Sequence, residues 1–152
     1  MPSQTETIPD LTVTLDDGAT TTLTKLADGH HLVVFFYPKA FTGGCTAQAC
    51  HFRDLGAEFA AAGARRVGIS RDDVETQASF SDAHGFDFPL IADPDGAVAK
   101  AFGAKRPGPI PSKRQTIVLG PDLSVHKRIS SETNMDVHAD DALAYLRDQQ
   151  AG

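Results

Sequence analysis

The sequence has few cysteines and lacks tryptophan: its 152 residues include two cysteines, no tryptophan and no long apolar run. The longest strongly apolar stretch, residues 32–37, is far shorter than the roughly 20 residues that a membrane-spanning helix needs. Residues 1–10 lack the positive start and the apolar segment of a secretory signal. We therefore expect a cytoplasmic protein that does not enter a membrane. In a reducing compartment a close cysteine pair indicates redox chemistry, a metal site or no special role, rather than a permanent disulfide.

Positive charge is also scarce, with 14 Lys and Arg against 20 Asp and Glu and a net charge of −6. Nucleic acids and anionic membranes attract basic surfaces, so neither is expected as a partner. No glycine-rich phosphate loop follows a predicted strand, and the six histidines show no metal-ligand spacing. The sequence thus predicts no cofactor and no metal. Its length suits one domain over residues 1–152 with a core of its own.

The order of apolar patterns predicts strands alternating with helices. Period-two alternation predicts an N-terminal hairpin, and the continuous apolar run at 32–36 predicts a buried central strand. This order favours an α/β sandwich with a thioredoxin-like fold, in which helices flank a central mixed sheet and an antiparallel pair follows a βαβ unit. The predicted strands are 11–15, 20–24, 32–36, 66–70, 88–92, 115–119 and 123–129; the predicted helices are 45–63, 72–85, 97–102 and 136–149, with a proline-rich loop at 103–113.

Both cysteines lie in the segment 37–50, directly after the central strand and at the start of the first long helix. A helix N-terminus stabilises a thiolate, which is the nucleophilic form of cysteine. Pro38 and Thr42 stand seven and three residues before Cys45. The proline ring can shield one side of the sulfur, and the threonine hydroxyl can bond to it or to a substrate oxygen. A single cysteine is more often a small core residue than a nucleophile, so these neighbours carry the functional interpretation.

The spacing Pro-x-x-x-Thr-x-x-Cys resembles the active-site signature of the peroxiredoxins. The sequence of residues 37–46, followed by Cys50, is similar to the bacterioferritin-comigratory (Q-type) branch, and the similarity extends to segments 86–96, 98–103 and 113–118. The resemblance implies a thiol peroxidase that reduces hydrogen peroxide and organic hydroperoxides without a cofactor. In such an enzyme Cys45 attacks the peroxide and Cys50 then forms a disulfide with it. A thioredoxin-like protein reduces that disulfide, and the protein is often a monomer.

The resemblance also implies which groups hold the peroxide. These are the backbone N–H groups of Gly44 and Cys45, the Thr42 hydroxyl and the Arg114 guanidinium. Arg114 is selected by the family match in Lys113-Arg-Gln-Thr; an arginine at a strand start is otherwise most often a solvated charge. Arg128 is a weaker alternative, and Lys105, Arg106 and Lys113 are expected on a basic loop surface. The chain departs from the family at two positions, with Gly43 where proline is usual and Gln48 where glutamate is common.

Two alternatives stay open at this point. Cys50 falls in the apolar stripe of its helix, so it could be a core residue in a one-cysteine peroxidase that uses an external thiol. The pair Cys45 and Cys50 with a histidine could instead serve a thioredoxin-fold copper chaperone. His138 matches a family position but is expected to cap or pack a helix, and His51 is expected out of reach of Cys45.

The spacing of the two cysteines predicts a change of conformation during the reaction. Five residues apart on one helix, their Cα atoms would be separated by roughly 8 to 9 Å, with side chains about 140° apart around the axis. A disulfide needs Cα atoms within about 7 Å. We therefore expect the thiol form to have a helix through both cysteines, and oxidation to unwind its first turns.

Overall fold

A computed structural model describes residues 6–105 and 113–151 of the chain. The strands are β1 (Thr12–Leu15), β2 (Thr20–Thr22), β3 (His31–Phe36), β4 (Ala64–Ser70), β5 (Leu90–Ala92), β6 (Gln115–Leu119) and β7 (Val125–Ser130). The helices are α1 (Leu23–Ala27), α2 (Gly43–Asp54), α3 (Gly56–Ala61), α4 (Val74–His84), α5 (Ala97–Phe102) and α6 (Asp136–Ala151). Of these described helices, none combines the length and the apolar character that a membrane crossing requires.

All seven described strands form one mixed sheet in the order β2-β1-β5-β4-β3-β6-β7. Strand β3 lies near its centre, parallel to β4 and antiparallel to β6, and its residues from Leu32 to Phe36 are buried. The predicted α/β class, the N-terminal hairpin and the central strand are confirmed.

Alternate side chains of β3 enter two cores on opposite faces of the sheet, as the two-residue period of a strand requires. Val33 and Phe35 join the core that α2, α3, α4 and α6 cover. Val34 and Phe36 join the other core, which α1 and α5 cover. Because both faces are covered, β3 needs apolar residues at every position, and this is the run that the sequence shows.

The predicted second strand of the hairpin is too long, because α1 begins at Leu23. The Thr22 hydroxyl accepts a hydrogen bond from the Lys25 N–H at 3.3 Å and caps this helix. Leu23 and Ala27, one helical turn apart, are both fully buried. Capping and burial at this spacing outweigh the alternating pattern.

The predicted single helix from Cys45 to Gly63 is wrong, because the helix is interrupted at Leu55, which separates α2 from α3. Beyond the break Gly56 passes close to the Arg66–Asp87 ion pair, and a Cβ atom there would lie 2.7 Å from Asp87 Oδ2. Glycine permits this approach, whereas a side chain there would have to displace the Asp87 carboxylate.

Three other strands begin two residues away from their predicted starts; the first is β4, which begins at Ala64 instead of residue 66. β5 begins at Leu90 because Pro89 has no N–H to pair, and β7 begins at Val125 after Leu123, which has a left-handed φ of 66°. Most of the predicted loop at 103–113, with Arg106, lies outside the described residues. The predicted helices at 97–102 and 136–149 are confirmed, and α4, predicted over 72–85, is capped by Asp73 and Gly85.

Candidate active site

The candidate nucleophile, Cys45, lies just after the loop that connects the central strand β3 to helix α2. Tyr37 to Thr42 connect β3 to α2, and Cys45 follows in the first turn of α2, fully buried. The positive end of the helix dipole therefore acts on the sulfur from within a site of low water content. Both cysteines are free thiols.

Two donors contact the Cys45 sulfur. The backbone N–H of Lys39 and Nη1 of Arg114 each lie 3.5 Å from Sγ, a normal distance for a hydrogen bond to sulfur. One donor belongs to the connecting loop and the other is a guanidinium, and both favour a negative charge on sulfur. Sequence reasoning did not identify the Lys39 N–H, because a backbone donor leaves no mark in the sequence.

The register of the sheet brings Arg114 to this position. β6 runs antiparallel to β3 with Gln115 opposite Phe36, so Arg114 stands beside the end of β3 from which the cysteine loop departs. Its backbone N–H donates to Glu132 Oε2 at 3.0 Å. The side chain is only 7% exposed, and its Nε has no hydrogen-bond partner. A buried guanidinium with spare donor capacity is suited to bind an oxygen ligand.

Gln48 holds the guanidinium in place. Its Oε1 accepts a hydrogen bond from Arg114 Nη1 at 2.7 Å, and its Nε2 lies 3.5 Å from the carbonyl of Phe36. Gln48 is fully buried and three residues after Cys45, on the same side of α2. This helical spacing is a signal in the sequence that could have identified the contact. Since the amide is neutral, this contact does not offset the positive charge of the guanidinium.

The loop before α2 is fixed by contacts from β4. Asp72 Oδ2 accepts hydrogen bonds from the Ala40 N–H at 2.8 Å and from the Ser70 hydroxyl at 2.5 Å. Phe41 has a left-handed φ of 66° and is 53% exposed. A non-glycine residue in this conformation costs about 1 to 3 kcal/mol, so the carboxylate and its neighbours hold a strained loop in position.

Thr42 and Pro38 lie near the two ends of this loop. The Thr42 hydroxyl donates to the Lys39 carbonyl at 2.9 Å, and it does not cap α2. The N–H groups of the first turn of α2 are thus left without a side-chain cap and can serve a ligand. Pro38 is half-buried at the start of the loop. Its shielding of the sulfur and the bond from Thr42 to a substrate oxygen stay predictions.

Two buried polar side chains near the site, Tyr37 and His138, make hydrogen bonds within the fold. Tyr37 donates to Gln77 Oε1 at 2.6 Å, and burial raises the pKa of this tyrosine, so it stays protonated. His138 Nε2 lies 2.8 Å from the Ser131 carbonyl, which can only accept, so Nδ1 accepts from the Thr116 hydroxyl. Burial lowers the pKa of His138, which leaves it neutral near pH 7. These bonds give His138 the packing position expected for it.

Gly44 lies between the guanidinium and a methionine. A Cβ atom on Gly44 would lie 3.3 Å from Arg114 Nη2 and 3.3 Å from Met135 Sδ. These are tighter than ordinary contacts, so a larger residue at this position must displace one of the two side chains. The same Cβ on the neighbouring Gly43 would meet nothing within 4 Å.

We expect Gly44→Ala to slow the reaction of the thiol with hydroperoxide about three- to tenfold, because small displacements of a positioned donor are costly in rate. The rate is measured by stopped flow, with Gly43→Ala as the matched control. Equal rates in the two variants would show that the position of Arg114 does not depend on the space at Gly44.

The second cysteine lies on the same helix, where Cys50 is partly buried. The predicted helix through both cysteines of the thiol form is confirmed. Next to Cys50, His51 Nε2 lies 2.7 Å from Asp140 Oδ1 on α6. His51 therefore joins α2 to α6 and does not contact Cys45.

The remaining candidates lie elsewhere. Arg128 binds Glu6 through Nη2 at 2.6 Å and the Phe102 carbonyl through Nη1 at 2.8 Å. Within residues 6–105 and 113–151, no group of three or more His, Cys, Asp or Glu residues is placed to hold a metal ion.

The chain is similar to known proteins over most of its length. The AhpC/TSA family matches residues 5–128. Peroxiredoxin Bcp of Xanthomonas campestris is 38% identical over 144 residues, which are 91% of this chain and 89% of that protein. The crystal structure of peroxidoxin BcpB from Mycobacterium tuberculosis has a TM-score of 0.92 at 46% identity and covers 97% of this chain and 98% of its own. The Xanthomonas campestris bacterioferritin comigratory protein has a TM-score of 0.82 at 36% identity, with 91% of both chains covered.

Proposed function

The chain belongs to the AhpC/TSA family and is a peroxidase like its Bcp and Q-type relatives, and on this premise we propose that Cys45 reduces hydroperoxides and Cys50 resolves the product. The predicted resemblance to the Q-type peroxiredoxins is thereby confirmed. Reduction of an alkyl peroxide is attributed to the Xanthomonas campestris protein, which supports hydroperoxides as the substrate class here.

The observation that carries the proposal is the buried Cys45 sulfur held by two donors, the Lys39 N–H and Arg114 Nη1. After loss of its proton, the thiolate attacks the terminal oxygen of R–O–O–H. The O–O bond breaks, a sulfur–oxygen bond forms, and the leaving alkoxide takes up a proton to give ROH. Cys45 becomes a sulfenic acid, so the thiol is oxidised and the peroxide is reduced.

Negative charge shifts during this step from sulfur toward the leaving oxygen. The Arg114 guanidinium, with its unpartnered Nε, and the first-turn N–H groups at Gly44 and Cys45 are the donors that can follow this shift. They are positioned before the substrate binds, because Gln48 and Glu132 hold Arg114 and Asp72 holds the loop.

In the second step the Cys50 thiol attacks the sulfenic sulfur, water leaves and a disulfide forms. A thioredoxin-like dithiol protein then reduces this disulfide and becomes oxidised in turn. Because both cysteines lie in the continuous helix α2, the second step requires part of α2 to unwind.

The side chains of α2 suggest where the unwinding stops. Residues 43–50 carry no large apolar side chain. Phe52, in contrast, is fully buried and stacks on Phe35 with ring centroids 4.2 Å apart, and its carbonyl accepts from Arg66 at 2.8 Å. Removing a buried phenylalanine from a core costs about 3 to 5 kcal/mol. We therefore expect the turns through Cys50 to open while Phe52 stays in place.

The His51–Asp140 contact joins the mobile part of α2 to α6, so its removal should ease the unwinding. We expect Asp140→Ala to speed disulfide formation after the sulfenic acid about two- to fivefold, the range that a partly exposed pair allows. Hydrogen exchange at residues 44–51 should rise in the disulfide form, while β3 stays protected.

Asp148→Ala serves as the matched control for this variant, because it removes an exposed carboxylate from the same helix. A disulfide formed at the wild-type rate in Asp140→Ala, with unchanged exchange in α2, would contradict the unwinding step as described.

Thioredoxin-coupled oxidation of NADPH on addition of hydroperoxide tests the proposed cycle. We expect turnover in wild type and its loss in Cys50→Ser. If Cys50→Ser turns over as wild type with thioredoxin, the one-cysteine alternative holds. A copper chaperone would instead give no hydroperoxide-dependent oxidation and would retain copper through the two cysteines, which metal analysis measures.

A further inference from the structure

A thioether sulfur, besides the two thiols, lies at the candidate site. Met135 is half-buried just before α6, and its Sδ and Arg114 Nη2 are both 3.3 Å from the position that a Cβ on Gly44 would occupy. The two atoms are thus no further apart than twice that distance. The chain has only one other methionine, Met1. No step of the proposed peroxidase cycle uses Met135.

We propose that Met135 is an oxidation site at which hydroperoxide bound beside Arg114 converts the thioether to a sulfoxide. This rests on hydroperoxide binding at the Cys45 site as proposed above. A lone pair on Sδ attacks the terminal oxygen of R–O–O–H, the O–O bond breaks and an S–O bond forms. The proton of the terminal oxygen passes to the leaving oxygen, so the products are methionine sulfoxide and ROH. The thioether is oxidised by two electrons and the hydroperoxide is the oxidant.

The surroundings favour this reaction over oxidation of an ordinary exposed methionine. A peroxide held by the guanidinium is already close to Sδ. The oxidation then occurs between two groups in one site and does not need a collision with peroxide from solution. The unpartnered Nε of Arg114 shows that the guanidinium has spare capacity to bind such a ligand and to stabilise the leaving oxygen. A thioether needs no deprotonation to react.

The sulfoxide changes the site in a definite direction. Its oxygen is a strong acceptor, and the Arg114 guanidinium lies beside Met135 at Gly44. A hydrogen bond between them engages the guanidinium that the peroxide needs, so oxidation of Met135 lowers the rate at Cys45. The lesion is reversible by methionine sulfoxide reductases, unlike overoxidation of a cysteine to a sulfinic acid.

The first experiment measures Met135 oxidation separately from peroxidase turnover. Cys45→Ser, which cannot consume peroxide at Cys45, is treated with hydrogen peroxide together with a methionine-containing reference peptide, and peptide masses are followed over time. We expect Met135 to be oxidised about tenfold or more faster than the reference. Adding Arg114→Ala should remove the excess, and adding Lys113→Ala should keep it.

Oxidation of Met135 at or below the reference rate in Cys45→Ser, or an excess that persists in Arg114→Ala, overturns the proposal. The same comparison in Cys45→Ala excludes an effect of the serine hydroxyl. Peroxidase turnover of the wild type is assayed independently, so failure of the Cys45 cycle and failure of the Met135 step are distinguishable.

The second experiment tests inhibition. Wild type and Met135→Leu are exposed to excess peroxide, reduced with a dithiol and then treated with methionine sulfoxide reductases. Each activity is expressed relative to the same variant before exposure. We expect the peroxidase activity of the wild type to fall at least about twofold and to be restored by the reductases, and we expect the reductases to leave the activity of Met135→Leu unchanged. No restoration in wild type that carries the Met135 sulfoxide overturns the inhibitory role.

Discussion

Cys45→Ser is expected to abolish hydroperoxide reduction, whereas Cys50→Ser should keep one fast turnover and lose thioredoxin-supported cycling. The expectation follows from the unequal surroundings of the two thiols. Cys45 is fully buried at the helix start with Lys39 N–H and Arg114 Nη1 at 3.5 Å, while Cys50 lies more than a turn further along α2. In the part of the chain that the structure describes, the donors that can stabilise both a thiolate and a departing oxygen contact the Cys45 sulfur.

Stopped-flow measurement of a single turnover separates the two roles, because it needs no reductant. Circular dichroism of both variants controls for folding. Equal loss of the first turnover in Cys45→Ser and Cys50→Ser would reverse or remove the assignment of the nucleophile.

Arg114→Ala should lower the second-order rate with hydroperoxide on the order of a hundredfold, the typical loss when one positioned transition-state donor is removed. The guanidinium contacts the Cys45 sulfur directly, and Gln48 fixes its orientation at 2.7 Å. Its removal takes away the positive charge that favours the thiolate and a donor for the leaving oxygen.

Lys113→Ala is the matched control, since it removes a neighbouring, exposed positive charge from the same segment. We expect its rate to stay within about twofold of wild type, as is usual for exposed charges. A larger effect from Arg128→Ala than from Arg114→Ala would contradict the placement of Arg114 at the reacting sulfur.

The parts of the fold that could be predicted from the sequence are those with strong local signals. The apolar run of β3 and the Asp73 and Gly85 caps of α4 are examples. The start of α2 after a strand is another, so the position of Cys45 at a helix N-terminus was predictable. The helix α1 was missed although Thr22 is a good cap, because alternation in the preceding residues is a competing local pattern.

The remaining features depend on contacts between distant parts of the chain. Arg114 and Cys45 are 69 positions apart, and only the β3–β6 register joins them. Asp72 holds the cysteine loop from the segment after β4, and Gly56, next to the break at Leu55, lies close to the Arg66–Asp87 pair. The family motif selects Arg114 as a residue, but no motif or periodicity gives its distance to the sulfur or the other contacts, so the geometry of the site required the structure.

One measurement tests the central claim, that Cys45 and Cys50 complete the cycle together. The reduced protein is mixed with one equivalent of hydrogen peroxide, free thiols are counted, and the intact mass and the cysteine peptides are recorded. We predict that no free thiol is left, that the protein is roughly 2 Da lighter because two hydrogens are lost, and that a peptide joins Cys45 to Cys50. One thiol left at Cys50, with a sulfenic acid trapped at Cys45, would contradict the account.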